Sequence, residues 1–544
     1  MKKPFYITTT LPYVNGDPHI GFALEIIRAD IVARTKKLAG YEVFFNTGTD
    51  EHGAKIEKTA AAQNMAPQKY VDEKSEKYRE LMSALCILPE ANFIRTTDAH
   101  HIMAAQEFWR IVNKNGWIYK KDYSIKYCVG CELEKTESEL VLGRCPLHPH
   151  QEIEIIKEEN YFFKFSAFQK PLLDLYNANP ALVVPDFRFN EIRAFVERGL
   201  EDFSISRLAS KMSWGIPVPD DPDQVMYVWF DALVNYVSCI GWPDGSKQIG
   251  KEVKKEDRNG IAEKRWGGLL GFEGLSERAK ASESETHRHQ AMTAYQRTQE
   301  LDPEQAISKN SFQKFWIDSG GVVQYCGKDN LRQQSAMWQA MLLAAGLPPS
   351  KTIVIDGFIT GDGGIKMSKS LGNTVDPFGL VREYGTDALR YFVARELHPF
   401  EDSPFTPEKF KDAYNAGLAN GLGNLVSRIM KMSQDNLVEP ISIVANGLPA
   451  EYLGMLDSFN LKSAGDFIWS KISALDNIIQ QEKPFTKLKD PATKSDGLET
   501  IGKLVKGLGE IAFLLEPYLP ETSQKIQTLI KENKMPVQPL FMRK

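Results

Sequence analysis

The stretch Gly364-Ile365-Lys366-Met367-Ser368-Lys369-Ser370-Leu371-Gly372-Asn373 carries two lysines three residues apart in a loop bounded by glycines. Paired ammonium groups in such a loop suit a polyphosphate that must be gripped and then released, because they neutralise the charge that builds on a departing pyrophosphate. Near the N-terminus, Pro18-His19-Ile20-Gly21 follows Asn15-Gly16-Asp17. A histidine placed where a helix begins stands beside free backbone N–H groups and the positive end of the helix dipole, which favours phosphate. Together the two segments point to ATP chemistry, whereas either alone is equally compatible with a solvated basic loop or a plain helix cap. A third group has metal-ligand spacing, Cys128-x-x-Cys131 followed by Cys145-x-x-His148. Three thiolates and one imidazole on two tight knuckles suit tetrahedral Zn²⁺, and four protein ligands leave no position for water, so the ion is expected to be structural. Gly130 and Gly143 can relieve the turns, and His150 is a substitute fourth ligand.

Positioning these residues needs a scaffold. The β-branched and aromatic run Phe5 to Thr10 predicts a buried strand, and Leu11 to Gly16 a turn. Asp17 is then expected to cap a helix with Pro18 at its first position, which puts His19 in the first turn; Gly21 leaves room for a flat ring. A second strand at Glu42 to Asn46 and amphipathic helices containing Tyr70 to Leu85 and His101 to Asn115 continue the alternation. That order predicts an α/β fold, a doubly wound parallel (Rossmann-like) sheet whose first half spans residues 1–117, with ligands at the carboxyl ends of its strands. Asp50 sits just past such an end.

Residues 118–224, with short strands and the Cys/His cluster, read as an inserted connective domain. The nucleotide-binding fold resumes at Met226 to Phe230 and spans 225–350. Within it, residues 246–309 are rich in Lys, Glu, Ser and Gln and read as a solvated surface insertion with a helix from Glu273. Residues 351–404 hold the lysine loop, and their part from Asp376 to Arg395 reads as short and mixed. From residue 405 to 544, periodic apolar residues such as Leu418, Leu422, Leu425, Val426 and Ile429 predict a C-terminal α-helical bundle, with a tail after about residue 530.

At 544 residues, with 42% hydrophobic and 25% charged residues, the chain has material for several packed domains. The basic start Met1-Lys2-Lys3 is followed by threonines and a Pro/Gly turn rather than a signal-peptide core, and no apolar run approaches the roughly 20 residues of a membrane span. A cytoplasmic location is expected. A net charge of −5 and a pI of 6.1 exclude a uniformly basic nucleic-acid coat, so any RNA contact needs a local patch. Six cysteines are too few for a disulfide scaffold of this size; Cys86, Cys239 and Cys326 are expected to be buried small hydrophobes.

These segments, with Tyr13-Val14-Asn15-Gly16, Thr47 to Gly53, Glu159 to Phe163, Trp214 to Pro219, Tyr227 to Ala232 and Gly327-Lys328-Asp329, resemble the methionyl-tRNA synthetase family of class I aminoacyl-tRNA synthetases. The resemblance covers most of the chain outside the 246–309 insertion. It implies activation of L-methionine by ATP to methionyl-adenylate and pyrophosphate, with Mg²⁺ accompanying the nucleotide, and transfer to the 3′ end of tRNA(Met). It further implies that Asn15 and His19 hold phosphates, Gly21 packs near adenine, and Lys366 and Lys369 close over the leaving group. Asp50, aided by the backbone of Leu11, would pair with the substrate ammonium. Tyr13, Trp229, Ala232 and Tyr236 match the methionine pocket, in which aromatic contact with sulfur and fit do the selecting. Asn424 and Arg428, four apart on one helix face, and Phe485 after Pro484 match the anticodon reader. The extra C-terminal dimerisation module of some relatives has no counterpart, so a monomer is expected.

Three positions depart from the family pattern. Phe22 stands where a second histidine is usual, and Asn330 and Gln334 stand where the methionine pocket usually has Ile and His. Gln334 can still donate a hydrogen bond to a neighbour such as Tyr13 or Tyr236. Two other readings share parts of this pattern: a class I synthetase for another aliphatic amino acid or cysteine, and a non-catalytic tRNA-binding descendant. The first lacks room for an editing domain; the second would not be expected to keep His19, Asp50, Lys366 and Lys369 together.

Overall fold

The computed structural model describes residues 2–130, 133–135, 140–243, 311–365, 367, 374–443 and 447–544. Lys366, Lys369, Cys131, the 246–309 insertion and the helix expected from Glu273 lie outside the described residues. The centre is a six-stranded sheet built from β1 (Pro4–Thr9), β2 (Glu42–Thr49), β3 (Asn92–Arg95), β4 (Val183–Val184), β5 (Val322–Gly327) and β6 (Thr352–Asp356). Its order is β3-β2-β1-β5-β6-β4, and every pair is parallel. A parallel sheet needs apolar cover on both faces. β1 supplies it by alternation: Phe5 and Ile7 enter one core, while Tyr6 enters the other. The edge strand β4 comes from within the segment 118–224, so that segment also contributes to the central sheet.

α1 (Ile20–Leu38) follows β1, and α2 (Ala54–Ala62), α3 (Pro67–Ala84) and α4 (Ala99–Lys114) follow in turn. The expected start of α1 is corrected. Asp17 does not cap it, because its carboxylate is held 2.7 Å from each of Lys74 and Lys77 on α3. The helix begins at Ile20 instead, and His19 is the cap residue. Further corrections concern extent. β2 continues to Thr49, and the segment after Asp376 is helical, as Pro377–Tyr384 and Thr386–Tyr391, with Asp376 accepting the N–H groups of Phe378 and Gly379. Met226 ends a strand, Asp221–Met226, of a small antiparallel sheet, and Val228–Leu233 is a helix; the central sheet itself resumes at β5. Cys239 and Cys326 are buried as expected, but Cys86 is only half-buried, in a left-handed turn.

Strands Ile118–Cys128 and Glu154–Phe163 form a long antiparallel ribbon that carries the Cys/His cluster at its far end. The C-terminal part is a bundle that includes helices Asn424–Asn436, Leu461–Glu482, Lys494–Leu515 and Pro520–Glu532. The last residues are not a loose tail. Phe541 is buried edge-on against Tyr414, whose hydroxyl donates to the Met542 carbonyl at 2.8 Å.

α1 also joins this bundle to the sheet. Arg390, fully buried, donates to Asp30 of α1 at 2.7 Å, to the Leu85 carbonyl at 3.1 Å, and to the carbonyls of Pro517 and Tyr518 at 2.7 and 2.9 Å. Removing one partner of a buried pair strands the other charge. Arg390→Met is therefore expected to lower the urea unfolding midpoint by the equivalent of about 3 kcal/mol; an unchanged midpoint would show that this junction contributes nothing.

Candidate active site

Where β1 and β2 end, their extensions stay side by side: Tyr13 and Asp50 form a further parallel bridge, with the Asp50 N–H donating to the Pro12 carbonyl at 3.0 Å. The carboxyl ends of neighbouring parallel strands open onto a crevice. Here that crevice is a cleft of about 1180 Å³. It brings together Leu11, Tyr13, Asn15, His19, Gly21, Asp50, Trp229, Ala232, Tyr236, Asn330 and Gln334. Met367, between the two signature lysines, also lines it. Residues from five separate stretches of sequence thus meet at one place.

His19 has extended backbone, and its Nδ1 accepts the Gly21 N–H at 3.0 Å. An accepting Nδ1 leaves the hydrogen on Nε2, so the ring presents a donor at the helix start, suited to a phosphate oxygen. A Cβ at position 21 would lie 2.9 Å from the His19 ring. Gly21 therefore makes room first for the capping histidine. Phe22 does not replace the missing donor; it is buried edge-on against Tyr78 of α3, ring centres 5.1 Å apart.

Asp50 Oδ1 is buried with no hydrogen-bond partner among the described residues, and the Glu51 N–H beside it donates to Thr96 Oγ1 at 2.9 Å. Burial, then the nearby Asp231 and Glu51 carboxylates, holds the Asp50 pKa well above the usual carboxylate range. A cation entering here would relieve that cost. The loop carrying Asp50 is pinned from behind. Glu51 is clamped by Arg95 at 2.7 and 2.9 Å, and His52 Nδ1 lies 2.9 Å from Asp231 Oδ2. Opposite, Tyr236 is buried and accepts a hydrogen bond from Gln334 Nε2 at 2.8 Å, as the sequence suggested. Asn330 is half-buried on a short turn between β5 and the next helix.

The sequence reading missed Glu25. It is buried at the cleft and accepts both the N–H and the hydroxyl of Thr10 at 2.6 Å. The available signal was Glu25, Arg28 and Asp30 lying within the otherwise apolar run from Ile20 to Ala33; all three are buried. Cys128 and Cys145 are buried, and with His148 they place their ligand atoms within 4.8 Å of one another. His150 is exposed and outside this group. A Cβ on Gly130 would lie 2.5 Å from the His148 ring, so the knuckle turn is shaped around the imidazole. Two thiols and an imidazole in that space form a donor set that can hold a metal ion. Gly130 and His148 also line the cleft, so the knuckle forms part of its wall. Farther away, Asn424 is exposed, Arg428 pairs with Asp476, and Phe485 is 50% exposed on the turn after helix Leu461–Glu482.

Burial pushes Glu25 from 4.5 up to about 8, against the opposing hydrogen bonds from Thr10. Over that window the folded chain keeps a proton that the unfolded chain releases, so stability falls as pH rises from 4.5 towards 8 and levels above it. Asp356, raised to about 6 by burial, acts in the same direction. Glu25→Gln is expected to flatten, without abolishing, the decline of the urea midpoint between pH 5 and pH 8; an unaltered slope would contradict this assignment.

The family model described as tRNA synthetases class I (M) matches residues 5–153, 148–256 and 290–430. The methionine–tRNA ligase of Fusobacterium nucleatum is 34% identical over 540 residues, covering 97% of this chain and 74% of that protein. That of Thermosynechococcus vestitus is 35% identical, covering 97% and 90%. The crystal structure of Mycobacterium tuberculosis methionyl-tRNA synthetase bound by methionyl-adenylate is similar with a TM-score of 0.79 and 30% identity, over 99% of this chain and 98% of that one. Sequence and architecture agree along nearly the full length, and the chain belongs to the class I tRNA synthetases of the M type, the family of the methionine–tRNA ligases.

Proposed function

We propose that this chain is a methionine–tRNA ligase, activating L-methionine with ATP and transferring the methionyl group to the 3′ end of tRNA(Met) for translation. The observation that carries this reading is the single cleft in which a helix-capping histidine, an unpartnered buried carboxylate and an aromatic wall converge. Methionine's carboxylate attacks the α-phosphorus of ATP, an acyl-phosphate bond forms, and pyrophosphate leaves. No enzyme nucleophile is needed; the protein aligns two anions and stabilises the charge that moves onto the leaving group.

His19 and Asn15 hold phosphate oxygens, with Mg²⁺ accompanying the nucleotide, and Gly21 allows adenine to approach the start of α1. Lys366 and Lys369 close over the departing pyrophosphate. Asp50 takes the substrate ammonium beside the Leu11 backbone, supported by its buried Oδ1. Tyr13, Trp229, Ala232, Tyr236, Asn330 and Gln334 surround the side chain. Asn424, Arg428 and Phe485 read the anticodon, and an exposed aromatic ring suits stacking on an unpaired base. Among the described residues no helix is long and apolar enough to cross a membrane; we place the enzyme in the cytoplasm.

Methionine-dependent ATP–pyrophosphate exchange tests the reading, with leucine, isoleucine, valine, cysteine and homocysteine alongside. Exchange is expected with methionine, weakly with homocysteine because one methylene is worth only ~1–3 kcal/mol. Lys369→Ala and Asp50→Ala are each expected to lower kcat/KM by roughly 10²-fold or more, the usual scale for losing one such stabilising group. Folded protein that binds tRNA(Met) yet exchanges with no amino acid would instead favour the non-catalytic descendant.

The knuckle is read as a structural Zn²⁺ site held by Cys128, Cys131, Cys145 and His148, the ion cross-linking two turns that have little core of their own. One zinc per chain is the expected metal content. Cys145→Ser should release it and expose the ribbon 118–163 to limited proteolysis while the helical bundle stays resistant. Full metal retention in that variant would sink the assignment.

A further inference from the structure

A second cavity, of about 650 Å³, opens beside the cleft. His19 and Thr374 line both volumes, whereas Asp50, Trp229 and Tyr236 line only the first. The second is walled by cations from two helices, Lys74 and Lys77 of α3 and Arg382 of the helix Pro377–Tyr384, and by the carboxylates of Asp17, Glu80 and Asp376. The two signs match in number but are not evenly placed. Asp376 accepts the N–H groups of Phe378 and Gly379 at 2.9 and 3.0 Å and lies 3.3 Å from Arg382. Asp17 is shared between two ammonium groups, 2.7 Å from each, so that this trio keeps one positive charge in surplus. The surplus lies in the turn that leads into His19.

Lys74, Lys77 and Tyr78 stand three and four residues apart, on one face of α3. That face is fixed to the start of α1: the Tyr78 hydroxyl donates to the Gly16 carbonyl at 3.3 Å, and its ring packs edge-on against Phe22. Lys74 is thereby held against the turn, its side chain only 20% exposed. In an in-line displacement the leaving group departs opposite the attacking oxygen, here away from the amino-acid wall. Of Asn15 and His19, only His19 also lines the second cavity. We propose that Lys74 and Lys77 bind the departing pyrophosphate in this cavity, with Arg382 as a further cation of its wall. The proposal rests on the reading of the cleft as a site of ATP-dependent adenylation. As the bond from the α-phosphorus to the bridging oxygen breaks, its electron pair goes to pyrophosphate. The anion then replaces the Asp17 carboxylate on the two ammonium groups; no proton moves and no further reactant takes part. Phe22 offers no donor, so charge that the single imidazole leaves uncompensated falls to lysines, those of α3 among them.

The test runs the first step backwards: full-length enzyme loaded with methionyl-adenylate is mixed with pyrophosphate at fixed Mg²⁺ and salt, and ATP formation gives the half-saturating pyrophosphate concentration. Lys74→Met and Lys77→Met are each expected to raise it roughly 10-fold, the yield of one charge-assisted hydrogen bond. KM for methionine in the forward direction should not move with it. Lys74→Arg, which keeps the charge, should recover most of the loss. Asp17→Asn keeps both lysines and removes the carboxylate that competes for them, so it should lower the half-saturating concentration. A role confined to pinning the turn before His19 predicts the opposite, a rise like that of the lysine variants. Unchanged pyrophosphate dependence in both lysine variants, a matching loss for methionine, or a rise in Asp17→Asn would each overturn the proposal. Failure of the unsubstituted enzyme to form methionyl-adenylate is a distinct outcome, overturning the adenylation reading and this proposal with it.

Discussion

Helix α1 has to do two incompatible things, and the buried charges along it are how they are reconciled. Its first turn must face the cleft, so that His19 lines it. Its remainder must be buried between the sheet and the bundle. A purely apolar helix would bury well but would not specify its rotation. Glu25, Arg28 and Asp30 specify it, each finding a partner on a different side: Thr10 at the end of β1, Asp356 at the end of β6, and Arg390 in the helical region. Buried ionic groups are a weak source of net stability and a strong source of uniqueness when every partner is present.

From that anchor the cleft follows. β1 runs into the loop whose backbone bridges Asp50, and α1 begins where that loop ends. Arg28 reaches Asp356 at 3.1 Å and the carbonyls of Val393, His398 and Pro399, tying the segment after the lysine loop to the same helix. The knuckle wall, the aromatic wall and the loop carrying Met367 then enclose one volume. Three carboxylates that line it, Asp50, Glu25 and Asp356, are held above their ordinary pKa by burial first. Carboxylates buried together in this way carry a cost that a cation entering the cleft would relieve.

Elsewhere on the cleft wall the buried contacts are made by neutral groups. Gln334 answers Tyr236 with an amide whose two ends are distinct and whose orientation is dictated by Gln324. Gln324 in turn accepts from the Ser350 hydroxyl, and the Ser350 N–H donates to Gln339.

Much of this was legible in the residues. The period-2 and period-3.6 patterns announced the strands and helices, and the spacing of the Cys/His pairs announced the cluster of Cys128, Cys145 and His148, because local geometry is short-range and its signatures survive in one dimension. The helix start was misjudged because Asp17 is an excellent local cap whose carboxylate is taken by Lys74 and Lys77, some sixty residues on. The C-terminal residues read as a tail because Phe541 reveals its partner, Tyr414, only after folding. Glu25 went unnoticed because a charged residue on a helix is by default a solvated one. The sequence by itself determined which elements form and which chemical groups the chain possesses. The tertiary structure alone decided which charges are buried, which amide faces which hydroxyl and which distant residues share the cleft, since desolvation and long-range pairing exist only once the chain has closed on itself.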